Sequence, residues 1–374
     1  MNRLTRAFGA AGVSAVLALT AACGSSGSSD NNTSSSGASD FPSLVTAVQA
    51  LEQRPTTVGI TTPISGTIPS GKKVAFIQCG SPICSDMGDT LVQGADKLNW
   101  TIDRIKAGLT AETIKAAWDQ AVSDKVDAVI TSGTPRSLFE SELAQLKAAG
   151  TPVIDMTTAD PAGNGLTVVY GGPDQYTDQG KNMADYMLAN GGKGVRELSV
   201  TISAYPNITD VAKGLSGELS SQCPECSSDS LDVPASSIGS DLPTRITSYL
   251  SAHPDVNWLY VGFSDMVTGL PAALSSAGLG DVKIVTLSTN PTIATYMANG
   301  QNLMMATGFD TTEIMWRSLD YLARIWTNTS TDENTDPSKL PDWFVTKDNL
   351  PSTTENFPYV ADYQAEYEKL WNVG

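Results

Sequence analysis

The chain has a single histidine in 374 residues, His253. A Ser-His-Asp hydrolase needs an imidazole beside its nucleophile. His253 lies instead in Ala252-His-Pro-Asp255, where a helix pattern ends and a strand pattern begins, so a turn role is expected for it. Clustered imidazole ligands for a catalytic zinc are excluded by the count alone. Basic residues are scarce too, 23 against 40 acidic, for a net charge of −17. That balance argues against nucleic acid and against an electrostatic grip on anionic lipid. No Gly-rich loop follows a strand at phosphate-binding spacing. Beyond residue 22, no stretch is apolar enough to cross a bilayer. Nothing singles out an acid–base pair of carboxylates, so neither catalysis, a cofactor nor a metal is expected.

What is present begins at the N-terminus. Residues 1–22 read as a secretory signal: Arg3 and Arg6 precede an apolar run from Ala7 to Leu19 that is broken by glycines and too short for a stable span. Thr20-Ala21-Ala22-Cys23 resembles the bacterial lipobox, in which cleavage precedes the cysteine and a diacylglycerol is attached to its sulfur. That resemblance implies anchoring at Cys23 to the outer face of the cell membrane. The alternative is an ordinary secretory signal with Cys23 spare. Residues 23–40, almost wholly Gly, Ser, Asn, Thr, Ala and Asp after the cysteine, have no apolar surface to bury and read as a flexible tether. Residues 41–71 form an extension with one helical stretch, Ser43 to Glu52, followed by a Thr/Pro/Gly-rich segment.

Four further cysteines fall into two short-range pairs, Cys79 with Cys84 and Cys223 with Cys226. An even count in an exported chain points to disulfides, and a turn-forming proline inside each loop favours local pairing. A zinc site built from all four thiolates is the rival, and Cys223-Pro-Glu-Cys226 also has the spacing of a redox motif.

Apolar strand-like runs recur at intervals of about 26 residues in the first half: Val74 to Ile77, Thr101 to Ile105, Asp127 to Thr131 and Pro152 to Asp155. Helical patterns separate them at Leu91 to Leu98, Ala111 to Val122 and Leu138 to Ala149, the last closed by Gly150. A second series of runs starts at Glu197, Leu231, Trp258, Val282 and Leu303, with helices from Asp210, Thr244, Gly269 and Pro291. Repeated strand–helix–strand units mean parallel sheets. The fold expected is α/β: two similar Rossmann-like lobes with a ligand cleft between them, beyond the carboxyl ends of the strands.

Several stretches carry a resemblance over most of the chain. These are Asp127-Ala-Val-Ile-Thr131 with Leu143 to Asp155; Ala212-Lys-Gly-Leu-Ser-Gly-Glu-Leu219; Ala252 to Val261 followed by Met266-Val-Thr-Gly269 and Ala272 to Gly278; and Ile293 to Ala306. In order and spacing they resemble the type I periplasmic binding proteins, in the ribose-binding-like branch that serves ABC importers. The resemblance implies a three-stranded hinge, with crossings near residues 156, 309 and 345. It assigns 72–156 and 310–345 to an N-terminal lobe, and 157–309 and 346–374 to a C-terminal lobe. It also implies a monomer that captures a small polar solute, sugar or polyol-like, by hinge closure and delivers it to an ABC transporter permease. A sensor of the same fold docking on a signalling receptor is the alternative, as is a binding protein for an aromatic or amine solute.

The family's sugar clamp is only partly present. The position of its Arg falls on Val211, that of its Asp on Ser264 with Asp265 next door, and that of its Gln on Asp310. The loop from Cys79 to Asp89 lacks the usual aromatics. The candidate ligand-binding residues at strand ends are Ser85, Asp86, Arg136, Tyr205, Asn207, Ser264, Asp265, Asn290 and Asp310, with Tyr205, Phe263 and Trp316 as possible ring faces. Trp100, Trp118 and Trp258 read as packing, and Trp343 and Trp371 as pins for the C-terminal segment.

Overall fold

The structure is a computed structural model and describes residues 40–80, 82–108 and 110–374. The expected signal, Cys23 and the tether up to residue 39 lie outside the described residues. Helix α1 (Pro42–Leu51) comes first. The first sheet then forms from β1 (Lys73–Cys79), β2 (Thr101–Gly108), β3 (Ala128–Ser132), β4 (Val153–Met156) and β5 (Val168–Tyr170), in the order β2-β1-β3-β4-β5, all parallel. Helices α2 (Pro82–Lys97), α3 (Ala111–Ser123) and α4 (Glu140–Ala149) connect its strands. Val74, Ala75, Phe76 and Ile77 are each at most 1% exposed, because helices cover both faces.

The second sheet begins after α5 (Pro173–Gly191). It contains β6 (Arg196–Thr201), β7 (Ser227–Asp232), β8 (Trp258–Phe263), β9 (Lys283–Leu287), β10 (Leu303–Thr307) and the short β11 (Val345–Thr346). Its order is β11-β10-β9-β8-β6-β7, and only β10 with β11 is antiparallel. Helices α6 (Pro206–Gln222), α7 (Leu242–Ala252), α8 (Ser264–Val267), α9 (Leu270–Ser276) and α10 (Pro291–Ala298) connect these strands, while α11 (Thr311–Thr327), α12 (Asp332–Thr335) and α13 (Tyr363–Trp371) follow β10. Helices α5 and α6 cross at glycines: a Cβ on Gly180 would stand 2.1 Å from the Val211 carbonyl oxygen, and one on Gly214 would stand 2.0 Å from that of Thr177. Here the two backbones touch, which only glycine permits.

Both cysteine pairs are disulfide-bonded, Cys79 to Cys84 and Cys223 to Cys226. The rival zinc site would need all four as free thiolates. Trp100, Trp118 and Trp258 are core residues as expected; Trp343 lies in the second-lobe core and Trp371 in the first.

The division of the chain between lobes differs from the expectation in several places. After Met156 the chain stays with the first sheet and adds β5, so the crossing falls at Gly171-Gly172. At 308–310 the chain passes from β10 of the second sheet to α11, whose side chains lie in the first core. The next falls at 337–342, because Trp343, Phe344 and Val345 already belong to the second core. Residues 346–374 do not all follow: Val360, Tyr363, Tyr367, Leu370 and Trp371 pack into the first core against α11. The extension spans both lobes as well. Val48 of α1 joins the second core, whereas Val58, Ile60 and Ile64 join the first. Between them, Arg54 donates to the Pro358 and Tyr359 carbonyl oxygens and lies over the Trp343 ring.

The first lobe holds a buried ionic core that no apolar pattern reveals. On α11, Glu313 accepts from Arg317, and Asp320 accepts from Arg324 at 2.6 Å; all four are at most 1% exposed. Tyr367 and Trp371 of α13 donate to Glu313 and Asp320, and Arg317 and Arg324 reach the Val58 and Thr62 carbonyl oxygens of the extension. Burial of charge is tolerated because every group is paired and hydrogen-bonded.

Candidate functional site

The carboxyl ends of the two sheets carry most of the candidate residues. On the first lobe, Ser85 and Asp86 lie near the start of α2. The Ser85 hydroxyl and carbonyl oxygens accept from the Arg104 guanidinium, at 3.2 and 3.0 Å, and Arg104 also pairs with Asp89. Asp86 is exposed and accepts from Asn356 of the C-terminal segment at 3.3 Å. Arg136 follows β3; its backbone N–H donates to Asp160 at 2.7 Å, and its guanidinium stands 3.5 Å from the same carboxylate. The one candidate arginine is therefore neutralised by a neighbour on its own lobe.

On the second lobe, the loop after β6 presents Tyr205 and Asn207. The turn after β8 presents Phe263, Ser264 and Asp265, and the loop after β9 presents Asn290. The Tyr205 and Phe263 rings meet edge to face with centroids 6.4 Å apart. Ser264 is 6% exposed and its hydroxyl accepts from Ser288 at 3.2 Å. Asn290 caps α10, its side-chain oxygen accepting from the Ile293 N–H at 2.9 Å. Asp265 differs from all of these. It is partly buried, its carboxylate has no hydrogen bond or ion pair among the described residues, and burial alone raises its pKa.

Two candidates leave the site. Asp310 is the N-cap of α11: one oxygen accepts from the Thr312 and Glu313 N–H groups, and the other from the Tyr359 N–H at 2.6 Å. Burial raises its pKa to about 6, but its work is to join α11 to the returning C-terminal segment. Trp316 is fully buried, stacked on Trp371 at 5.2 Å, and donates to the Thr90 carbonyl oxygen. An aromatic on a helix that packs inward cannot face a solute. His253 is exposed and stacks on Tyr249 at the end of α7, one turn of helix from it.

Two further residues stand near the strand ends, Asp155, which the sequence also offers as a strand-end polar group, and Tyr176, which it does not. Tyr176, at the start of α5, is 3% exposed. Burial raises its pKa, with the Asn207 and Thr157 side chains acting in the opposite direction, and its ring meets that of Phe309 edge to face with centroids 5.1 Å apart. Asp155, at the end of β4, is fully buried. Its Oδ1 accepts from the Met156 N–H at 2.8 Å while its Oδ2 has no partner, as is also true of Thr131 Oγ1 beside it in the sheet register. Burial pushes the Asp155 carboxyl well above the usual carboxylate range; Asp160 adds to this and Arg136 opposes it.

Backbone strain marks the same place. Most non-glycine residues at positive φ are asparagines, which tolerate it, but Thr157 (φ 54°) and Ser288 (φ 58°) do not share that tolerance. They occupy the loops after β4 and β9, one on each lobe, and the Cys84 sulfur touches Ser132 at the end of β3. Strained residues at facing strand ends are what a preorganised binding site stores. Among the described residues no cluster of His, Cys, Asp and Glu is arranged to hold a metal, and no helix is long and apolar enough to cross a membrane.

The comparisons with known proteins agree with this geometry. The family model described as a periplasmic binding protein domain matches residues 74–329. Among solved structures, an ABC sugar transporter subunit from Rhodobacter sphaeroides superposes with a TM-score of 0.64 at 18% identity, covering 75% of this chain and 99% of that one. A carbohydrate transporter from Acidothermus cellulolyticus in complex with myo-inositol gives 0.62 at 19% identity, over 80% and 99%. An ABC transporter solute binding protein from Mycobacterium smegmatis with bound glycerol gives 0.63 at 18% identity, over 77% and 100%. At this identity the likeness is one of fold. No protein of curated function matches the sequence.

Proposed function

Because the chain belongs to the periplasmic binding protein family, we propose that it captures a small polyhydroxylated solute, a sugar or polyol, between its lobes and delivers it to an ABC transporter permease. The observation that carries this reading is the second-lobe rim, where the unpartnered, partly buried Asp265 carboxylate follows two residues after Phe263, whose ring pairs with that of Tyr205. A carboxylate accepts two hydroxyl donors at once, and an aromatic face covers the C–H side of a polyol. Asn207 and Asn290 add neutral amides that suit hydroxyls. The myo-inositol and glycerol bound to the structural neighbours support the same solute class. Closure of the lobes removes water from these groups, which strengthens each polar contact, and the closed form is the one a permease would recognise. The proposal keeps the protein outside the cytoplasmic membrane, monomeric, and held through a lipid on Cys23.

Titration calorimetry with a panel of pentoses, hexoses, inositols and glycerol tests the proposal. Saturable heat is expected from at least one of them. Asp265→Asn is expected to weaken it by about tenfold or more, the worth of a hydrogen bond to a charged acceptor. No saturable heat from any member, or undiminished affinity in Asp265→Asn, refutes it. One observation favours a second reading, an amine-bearing solute: the cleft's arginine is already neutralised by Asp160, whereas Asp265 has no cation beside it. Heat from simple amines alone selects that reading.

A further inference from the structure

The hinge has a cavity of its own. One stripe of α5 carries Gln175, Asp178, Gln179 and Asn182, at the spacing that lines a single helix face. Against it runs the crossing segment 337–342. The two enclose about 320 Å³, lined among others by Asp178, Gln179, Asn182, Phe309, Leu340 and Asp342. None of the candidate cleft residues is among its lining residues, and neither is any lysine, arginine or histidine.

Its polar groups are acceptors without enough donors. Gln179 is 5% exposed and its Oε1 atom has no hydrogen-bond partner. Buried side-chain oxygens rarely stay so. The terminal torsion of a glutamine is broad, so a small turn of the amide presents this oxygen to an occupant. Asp342 accepts one bond on each oxygen, from Thr307 Oγ1 at 3.1 Å and from Asn182 Nδ2 at 3.2 Å. A carboxylate offers about four acceptor positions, so roughly half remain free. Burial raises the pKa of Asp342, as expected for a carboxylate with no cation in reach. The remaining wall is apolar: Phe309, Leu340 and the prolines Pro337 and Pro341. Acceptors at one side and an aromatic ring with aliphatic surface at the other suit an alkyl cation, whose ammonium is held by oxygen and whose chain or charge lies over the ring.

We propose that this hinge cavity is a binding site for a small aliphatic ammonium compound, held by Asp342 and Gln179 over Phe309. It is separate from the solute cleft. Its walls come from a second-lobe helix and from segments that cross between lobes.

The test is calorimetric titration of the full chain with n-butylammonium chloride, with n-butanol as the uncharged counterpart and sodium chloride to match ionic strength. Saturable heat is expected from n-butylammonium, with a dissociation constant of about 1 mM or lower, and none from n-butanol. Gln179→Leu removes only an unpartnered group and should leave the fold intact, and Asp342→Asn keeps the size of the side chain. Each is expected to weaken n-butylammonium binding by about tenfold, while Asp265→Asn leaves it unchanged. The proposal is overturned by the absence of saturable heat, by affinity that survives both hinge substitutions, or by binding that Asp265→Asn abolishes, which would place the cation in the cleft.

Discussion

Glu197 ties the stability of the second lobe to pH. It is the second residue of β6 and 1% exposed, with Ser199 two residues along the strand and Ser228 opposite it on β7. Both serine hydroxyls donate to its carboxylate, at 2.7 and 2.6 Å. Burial nevertheless dominates and raises its pKa from 4.5 to about 7. Below pH 4.5 the group is protonated whether the chain is folded or unfolded, and it carries no penalty. As the pH rises, the unfolded chain releases the proton first and the folded chain keeps it, so stability falls until the pH reaches about 7 and is then flat. At about 1.4 kcal/mol per pH unit, the loss over that window is about 3 kcal/mol. Glu197→Gln keeps the shape and removes the proton equilibrium, since a serine hydroxyl can turn to accept from the amide. Asp185 and Asp310, also raised to about 6, titrate in both proteins and cancel in the difference. Urea unfolding of both proteins across this window should show the variant gaining about 3 kcal/mol on the wild type between pH 4.5 and about 7. Parallel stability curves would refute the argument.

Further outcomes follow from named contacts. Arg317→Met leaves Glu313 buried without its cation and is expected to cost about 3–5 kcal/mol in urea unfolding; a loss below about 1 kcal/mol would refute it. Gly214→Ala drives a methyl group into the Thr177 carbonyl and should cost about 3 kcal/mol or more, whereas Gly217→Ala, with nothing within 4 Å, should be neutral or stabilising by up to about 1 kcal/mol. Asp310→Ala removes a helix cap and the bond to Tyr359, so thermal unfolding should show a loss of about 1–2 kcal/mol, while solute affinity changes less than it does in Asp265→Asn.

Most strands of both sheets were legible because parallel strands buried on both faces are continuous apolar runs, as in Val74 to Ile77; β5 was missed, and the run expected from Leu231 is only the end of the polar edge strand Ser227–Asp232. Helices with one wet face, such as Ala111 to Ser123, show their period for the same reason. Two long helices escaped the pattern. Pro173–Gly191 is interrupted by glycines and polar residues, and Gly180 is there for backbone contact with α6 rather than for helix propensity. Thr311–Thr327 is buried from Glu313 to Arg324, yet its interior carries Glu, Arg, Ser, Asp and Arg. A periodicity of apolar residues cannot find a core made of paired charges. The partners that make those charges tolerable, Tyr367, Trp371 and the carbonyl oxygens of Val58 and Thr62, lie far away in sequence. The lobe assignment of the C-terminal segment differs for the same reason, since α13 joins the first core through its packing on α11 and those polar contacts.

The site was legible in position and much less so in role. Strand-end loops follow from topology, and so Tyr205, Asn207, Ser264, Asp265 and Asn290 all fall at the carboxyl end of the second sheet. Whether such a residue is free for a solute depends on what else takes its hydrogen bonds, which sequence does not carry. Asp265 and Asp310 look alike as acidic residues at strand ends. Asp310 is consumed by three backbone N–H groups, one of them 49 residues away at Tyr359, and Asp265 by none. Arg136 looks like a donor fork until Asp160 closes on it. Tyr176 and Thr157 gave no signal at all: one sits in an unrecognised helix, and the other is marked only by a backbone angle that its side chain disfavours. The cleft thus retains the Asp265 carboxylate and a pair of rings as its uncommitted groups. It is this remainder, and not the full count of polar residues at the strand ends, that a solute must match.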